Sequence, residues 1–192
     1  MTRIPLAFAL AACTSLASAP ALAQQQPRYM AQIQAELQAM NLAPQCTSTT
    51  PAIATCTVRA QPPGPDGRTP NPTARRFVIT VLYSDDSDTV YAYIERYAML
   101  RADAANAGQV TRRLLEINWE TLVAKLELAP LTGEIRMSTT LSTDSNFDRR
   151  AFRSAIRSLV RVADRYAGEL SQLTQSPIGE TPTTAPSAPA AR

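Results

Sequence analysis

Hydrophobic residues recur every three or four positions near the start of the chain body, and this spacing predicts a helix over residues 28–41. The apolar positions that form the stripe are Tyr29, Ile33, Leu37 and Met40. A shorter pattern of the same kind predicts a second helix over residues 110–118. Both helices therefore have one side that must be covered by the rest of the fold.

A longer helical stripe closes the patterned part of the chain and predicts an amphipathic helix over residues 147–173. Ser145 or Asn146 is the predicted N-terminal cap, because side-chain oxygens of these residue types accept hydrogen bonds from the first helical amides. The predicted core stripe consists of Phe152, Ile156, Leu159, Ala163, Tyr166 and Leu170.

Between these helices, runs rich in β-branched and alternating apolar residues predict five strands. The predicted strands are residues 53–60, 75–83, 89–100, 122–128 and 135–142. In the fourth strand, Leu122, Ala124, Leu126 and Leu128 form the apolar row. The resulting order, α-βββ-α-ββ-α, predicts an α+β domain in which helices flank an antiparallel sheet on one face.

The chain divides into an export signal, a domain and a tail. Residues 1–23 predict a signal peptide, residues 24–173 an α+β domain with a Pro-rich loop at 62–73, and residues 174–192 a disordered Pro/Ala/Thr-rich tail. Arg3 precedes a short apolar run, and small residues at positions 21 and 23 predict cleavage after Ala23. These features predict a periplasmic or secreted protein. The alternative is a lipoprotein box that would leave the chain anchored at Cys13.

The amino-acid composition excludes several kinds of catalytic and metal-binding site. The chain has 19 Lys and Arg residues, 16 Asp and Glu residues and no histidine. The missing imidazole excludes Ser-His-Asp and Cys-His catalysis and every histidine metal ligand. The small net charge of +3 and the low aromatic content argue against a nucleic-acid partner. We therefore predict no cofactor, no metal and no catalytic residues, although paired carboxylates would still allow a hydrolase.

Two cysteines, Cys46 and Cys56, remain after cleavage of the signal peptide. In an exported protein this pair most simply forms one disulfide, and the alternative is two unpaired buried thiols.

Three aspartates, Asp85, Asp86 and Asp88, could suggest calcium, but the loop lacks the glycine and glutamate positions of an EF-hand. A solvated turn is the favoured interpretation of that loop.

Two features of the surface are candidates for binding. The closing helix carries an arginine at every fourth position, and these are Arg149, Arg153, Arg157, Arg161 and Arg165. The row either faces an anionic partner or is simply the solvated side of the helix. Trp119, the single tryptophan, either anchors a partner or covers the edge of the core.

Residues 114–126 (LLEINWETLVAKL) and 158–167 (SLVRVADRYA) resemble the YbjN-like family of bacterial sensory transduction regulators. The resemblance covers roughly residues 28–170 and implies a fold similar to type III secretion chaperones, with a curved antiparallel sheet and flanking helices. Related folds dimerise and bind peptides, so the resemblance implies a homodimer or a protein partner. It supplies no catalytic residues. The export signal, the cysteine pair and the Pro-rich loop depart from the family pattern and count against a cytoplasmic role.

Together these features predict an exported, non-enzymatic binding or regulatory protein of the bacterial cell envelope. The alternatives are a lipid-anchored envelope scaffold protein and a carboxylate-dependent hydrolase. A homodimer is further suggested by strand faces that carry Tyr91, Tyr93 and Tyr97.

Overall fold

The computed structural model describes residues 26–66, 69–144 and 146–181. The predicted signal peptide, Cys13, Ser145 and residues 182–192 lie outside the described residues. The helices are α1 (Met30–Ala39), α2 (Ala107–Glu120) and α3 (Arg149–Thr174). The strands are β1 (Gln45–Thr50), β2 (Ile53–Ala60), β3 (Phe77–Ser84), β4 (Thr89–Met99), β5 (Lys125–Leu128) and β6 (Glu134–Ser142).

The six strands form one antiparallel sheet in the order β1-β2-β3-β4-β6-β5. The predicted α+β fold is confirmed, with the element order corrected to α-ββββ-α-ββ-α. The strand missing from the prediction is β1, whose sequence QCTSTT has no apolar alternation because it is a largely exposed edge strand. Its pairing with β2, rather than burial of its side chains, makes it a strand.

One face of the sheet is apolar and lies under the helices. Alternate residues of β2 meet buried residues of β3 across the ladder, and these pairs are Ala54–Tyr83, Cys56–Val81, Val58–Ile79 and Ala60–Phe77. All three helices contribute buried side chains to the same core. The opposite face carries threonines, tyrosines and charged residues and faces solvent.

A bulge in β4 decides where its tyrosines point. The register with β6 shifts between Ile94 and Ala98, and Arg96 adopts a φ of 47°. Two extra residues in β4 at the bulge turn Tyr97 into the core, where its hydroxyl donates a 2.6 Å hydrogen bond to the carbonyl oxygen of Ala163 in α3. Burial raises the pKa of Tyr97 far above its ordinary value. Tyr97 is therefore buried and does not share the face of the sheet that carries Tyr91 and Tyr93.

The N-terminal cap of helix α3 lies two or three residues later than predicted. Asp148, not Asn146 or Ser145, accepts hydrogen bonds from the amides of Arg150 (2.8 Å) and Ala151 (2.9 Å). Phe147 precedes the cap and packs against Phe152 with ring centroids 5.2 Å apart. This pair is a hydrophobic staple, which fixes how the chain enters the helix. It also explains why the cap follows Phe147 instead of preceding it.

The segment after α3 is ordered further than the sequence suggests. Thr174 is still helical and buried, Gln175 ends the helix with a φ of 55°, and Ile178 is 4% exposed. The backbone groups of Glu180 and Arg76 form two hydrogen bonds of 2.8 and 3.0 Å. The predicted disordered tail therefore does not begin at Thr174, because α3 includes that residue and Glu180 pairs with Arg76, directly before the start of β3.

Cys46 and Cys56 face each other in the ladder between β1 and β2 and form a disulfide. The bond attaches the polar edge strand to a strand whose Cys56 belongs to the core.

Among the described residues, no helix combines the length and the apolar character that crossing a membrane requires.

We predict that the disulfide contributes to stability mainly by restricting the unfolded chain. For cysteines ten positions apart, loop-closure entropy amounts to roughly 2.5–3 kcal/mol. Urea unfolding of the Cys46→Ala/Cys56→Ala variant should show that loss. The matched control is Thr47→Ala/Thr55→Ala, a neighbouring cross-strand pair, which should lose much less. Two reactive thiols in unfolded, unreduced protein would contradict the prediction.

Candidate anion-binding surface

The arginine row of α3 winds around the helix instead of forming one face. Successive residues four positions apart are rotated by about 40°, so the five arginines turn from the side of α1 to the side of α2. At the first end, Arg149 and Arg153 lie 3.7 and 3.3 Å from the carboxylate of Glu36 in α1. At the other end, the guanidinium of Arg165 lies over the ring of Tyr166 at 5.2 Å.

Glu36 is a buried carboxylate on α1, with 6% of the residue exposed. A buried charge of this kind requires a counter-charge, which Arg149 and Arg153 provide across the junction between α1 and α3. Its Oε2 atom forms no hydrogen bond with a described residue, so the contact with Arg153 is an ion pair without ideal hydrogen-bond geometry. These two arginines therefore serve first to hold α1 in place.

Two middle members of the row, Arg157 and Arg161, differ from those at its ends, as does Arg150, which lies beside the row. The guanidinium groups of these three arginines form no ion pair and no hydrogen bond with any residue that the structure describes. They line an open depression of about 490 Å³ on the outer side of α3, together with Arg153, Ser154, Ser158 and Ala39 of α1. No acidic side chain is among these lining residues. We call Arg150, Arg153, Arg157 and Arg161, with the two serines, the arginine face.

The arginine face is electrostatically unfavourable for the isolated helix. The first turn of α3 contains no acidic residue, although the positive end of a helix dipole favours anions there. Each like-charge pair four residues apart costs a further 0.2–0.5 kcal/mol or so. The charges therefore do not stabilise α3. They can bind phosphate, sulfate or carboxylate oxygens, because guanidinium groups donate two parallel hydrogen bonds to such groups.

Other charged clusters on the protein are satisfied internally. Arg113 of α2 contacts Glu120 and Glu169, and the three side chains connect α2 to α3. Hydrogen bonds from Tyr166 and Arg113 hold the pKa of Glu120 below its ordinary range. On the open face of the sheet, Glu127 accepts hydrogen bonds from Tyr91 and Ser138. The central charges of the arginine face, by contrast, have no such partners among the described residues.

The aspartate loop between β3 and β4 has a structural role. Asp85 accepts hydrogen bonds from the Arg28 amide at 3.0 Å and from the Tyr83 hydroxyl, and Asp88 pairs with the Arg28 side chain. Burial, together with the Asp85 hydrogen bond, raises the pKa of Tyr83 to about 12. The loop thus fixes the chain just before α1. In the part of the chain that the structure describes, no group of three or more potential ligands could hold a metal ion.

Trp119 does not cover the core, because 91% of it is exposed. Leu115, one turn earlier on α2, is 65% exposed, and Leu122 in the following loop is 95% exposed. The apolar row expected in the fourth predicted strand is therefore wrong at Leu122, and β5 begins only at Lys125. These residues form an exposed apolar surface at the C-terminal end of α2, which we call the Trp119 cluster. The predicted homodimer stays a prediction, and this cluster offers one exposed apolar surface for it.

The Trp119 cluster is held on the surface by hydrogen bonds. The pattern of apolar residues in the sequence does not reveal these bonds. The side chain of Asn118 pairs with both backbone groups of Leu126, at 2.7 and 3.0 Å. The exposed side chain of Lys125 donates to the carbonyl oxygens of Asn118 (2.8 Å) and Thr121 (2.7 Å). It thereby satisfies carbonyl groups at the end of α2. With Asn118 turned towards β5, its neighbour Trp119 points to solvent.

No protein-family model matches this chain, and no curated protein matches it either. The YbjN-like resemblance therefore stays a prediction.

Proposed function

We propose that this chain is an exported, non-enzymatic binding protein of the bacterial cell envelope, and that its arginine face binds an anionic partner. The observation that carries the proposal is the depression on α3, which is lined by four arginines and two serines and by no acidic residue. Arg150, Arg157 and Arg161 have no counter-ion among the described residues. A surface that costs helix stability and leaves its charges uncompensated is typical of a binding site.

The overall architecture supports a binding role of the YbjN-like kind. The helices share one face of the sheet, so α3 presents its outer side to solvent while its apolar stripe is buried. We include membership of that family, and a regulatory role exerted through a bound partner, as part of the proposal. The Trp119 cluster, at the C-terminal end of α2, offers a second contact surface for a protein partner or a second copy.

Export is the second component of the proposal. The disulfide between Cys46 and Cys56 is consistent with an oxidising, non-cytoplasmic compartment. We expect the mature protein to be soluble and to begin at Gln24. Its intact mass, measured on protein recovered from a bacterial envelope fraction, checks this expectation. A mass that includes diacylglycerol on Cys13 would contradict soluble export and show that the protein is anchored by a lipid.

Binding to anionic phospholipid vesicles tests the arginine face. Each arginine near an anionic bilayer contributes about 1 kcal/mol, so the Arg150→Gln/Arg161→Gln variant should bind roughly 30-fold more weakly than the wild type. Binding of the wild type should also weaken as salt rises towards about 1 M, where the screening length falls to about 3 Å. Sedimentation with phosphatidylglycerol vesicles measures both effects, and uncharged vesicles give the background.

The matched control for this experiment is Arg101→Gln/Arg112→Gln. It removes the same charge from side chains that are 72% and 83% exposed but lie outside the arginine face. The control should bind vesicles much as the wild type does. Urea unfolding should show that Arg150→Gln/Arg161→Gln is as stable as the wild type or slightly more stable, because like-charge repulsion is removed. Equal vesicle binding by the variant and the wild type would contradict the proposal.

A further inference from the structure

A second cavity lies where the end of α1, the end of β2 and the Pro-rich loop meet α3. Its volume is about 350 Å³, which is within the range of small-molecule sites. Two lining residues of α3, Ile156 and Val160, are only 1% and 2% exposed, so the cavity reaches down to the core. The other apolar lining residues are Met40, Leu42, Ala43, Ala60, Pro63 and Pro70. We call this cavity the cleft.

The walls of the cleft are built by local backbone structure. In the Pro-rich loop, Pro63 and Pro70 form an antiparallel bridge, and the amide of Gly64 donates a 2.7 Å hydrogen bond to the carbonyl oxygen of Thr69. The amide of Asn71 donates to the carbonyl oxygen of Pro62 at 2.8 Å. Proline rings restrict the backbone further. The cleft is thus a largely pre-formed site, and little ordering is needed when a ligand enters.

Three arginines give the cleft a positive charge. Arg59 lies 3.7 Å from Glu180, so its charge is partly compensated. The guanidinium groups of Arg76 and Arg157 form no ion pair with a described residue. No acidic side chain and no aromatic side chain lines the cleft. An occupant therefore needs an anionic group for the arginines and an aliphatic body for the floor, and nothing in the lining selects for a stacked base or ring.

We infer that the cleft binds an alkyl carboxylate, with the carboxylate on Arg76 and Arg157 and the chain on Ile156 and Val160. Guanidinium groups match the two oxygens of a carboxylate, and burial of the alkyl chain adds an apolar contribution that a free inorganic anion lacks. The inference goes beyond the proposed function. The cleft shares Arg157 with the arginine face, but Arg59 and Arg76 belong to the cleft alone.

Calorimetric titration of the oxidised protein with decanoate, below its micelle concentration, tests the inference. Decanoate should bind, whereas acetate should not, because it lacks the chain, and decanol should bind at least about tenfold more weakly, because it lacks the charge. Arg76→Gln should weaken decanoate binding by about tenfold or more, since one charge-assisted hydrogen bond is lost. Arg112→Gln, which removes an exposed charge outside both the cleft and the arginine face, should leave decanoate binding unchanged.

A second pair of variants tests the position of the chain. Ala43 is exposed and lines the cleft, so Ala43→Trp should fill the cavity and abolish decanoate binding without disturbing the core. Ala43→Ser is its matched control and should bind like the wild type. Equal binding of decanol and decanoate would overturn the inference, as would unchanged decanoate binding in both Arg76→Gln and Ala43→Trp. Vesicle binding lost in Arg150→Gln/Arg161→Gln but not in Arg76→Gln separates the arginine face from the cleft.

Discussion

The packing of α3 against the sheet is the constraint on which the other features of this protein depend. Its apolar stripe is almost completely buried, with Phe152, Leu159 and Ala163 at 0% exposure. Full burial of a large apolar side chain contributes roughly 1.5–3 kcal/mol, so the stripe far outweighs the repulsion among the arginines on the other side of the helix. The orientation of α3 is therefore set by its buried side. The arginines are left outside whether or not they help the fold.

The same packing assigns different roles to arginines that look equivalent in the sequence. Where α1 approaches α3, Glu36 holds Arg149 and Arg153. Where α2 approaches, Arg165 lies over Tyr166. Only the arginines that point away from both neighbours are left for an external anion. The cleft follows from the same arrangement, because Arg157 lies between the outer side of α3 and the gap beside the Pro-rich loop.

Much of the fold could be predicted because burial imposes periodicity. The α3 stripe, the strand pair β3 and β4 and the cysteine pair are all evident in the spacing of residues. Features held by polar contacts could not be predicted in this way. The strand β1 depends on pairing and a disulfide. The position of the cap at Asp148 depends on the hydrophobic staple that Phe147 forms. The direction of Tyr97 depends on the bulge at Arg96. The arginine row could be predicted from the sequence. Which of its arginines have a partner within the protein could not, because that depends on the positions of Glu36 and Tyr166. Nothing in the sequence pattern brought Arg59 and Arg76 together with Arg157.

Arginine-specific footprinting tests the central claim that the arginine face is the binding surface. The protein would be treated with phenylglyoxal in the presence and absence of phosphatidylglycerol vesicles, and each modified arginine would be quantified by mass spectrometry. The account predicts that vesicles protect Arg150, Arg157 and Arg161, while Arg101 and Arg112 react at the same rate in both samples. Uniform protection of all arginines, or no protection of the arginine face, would contradict it.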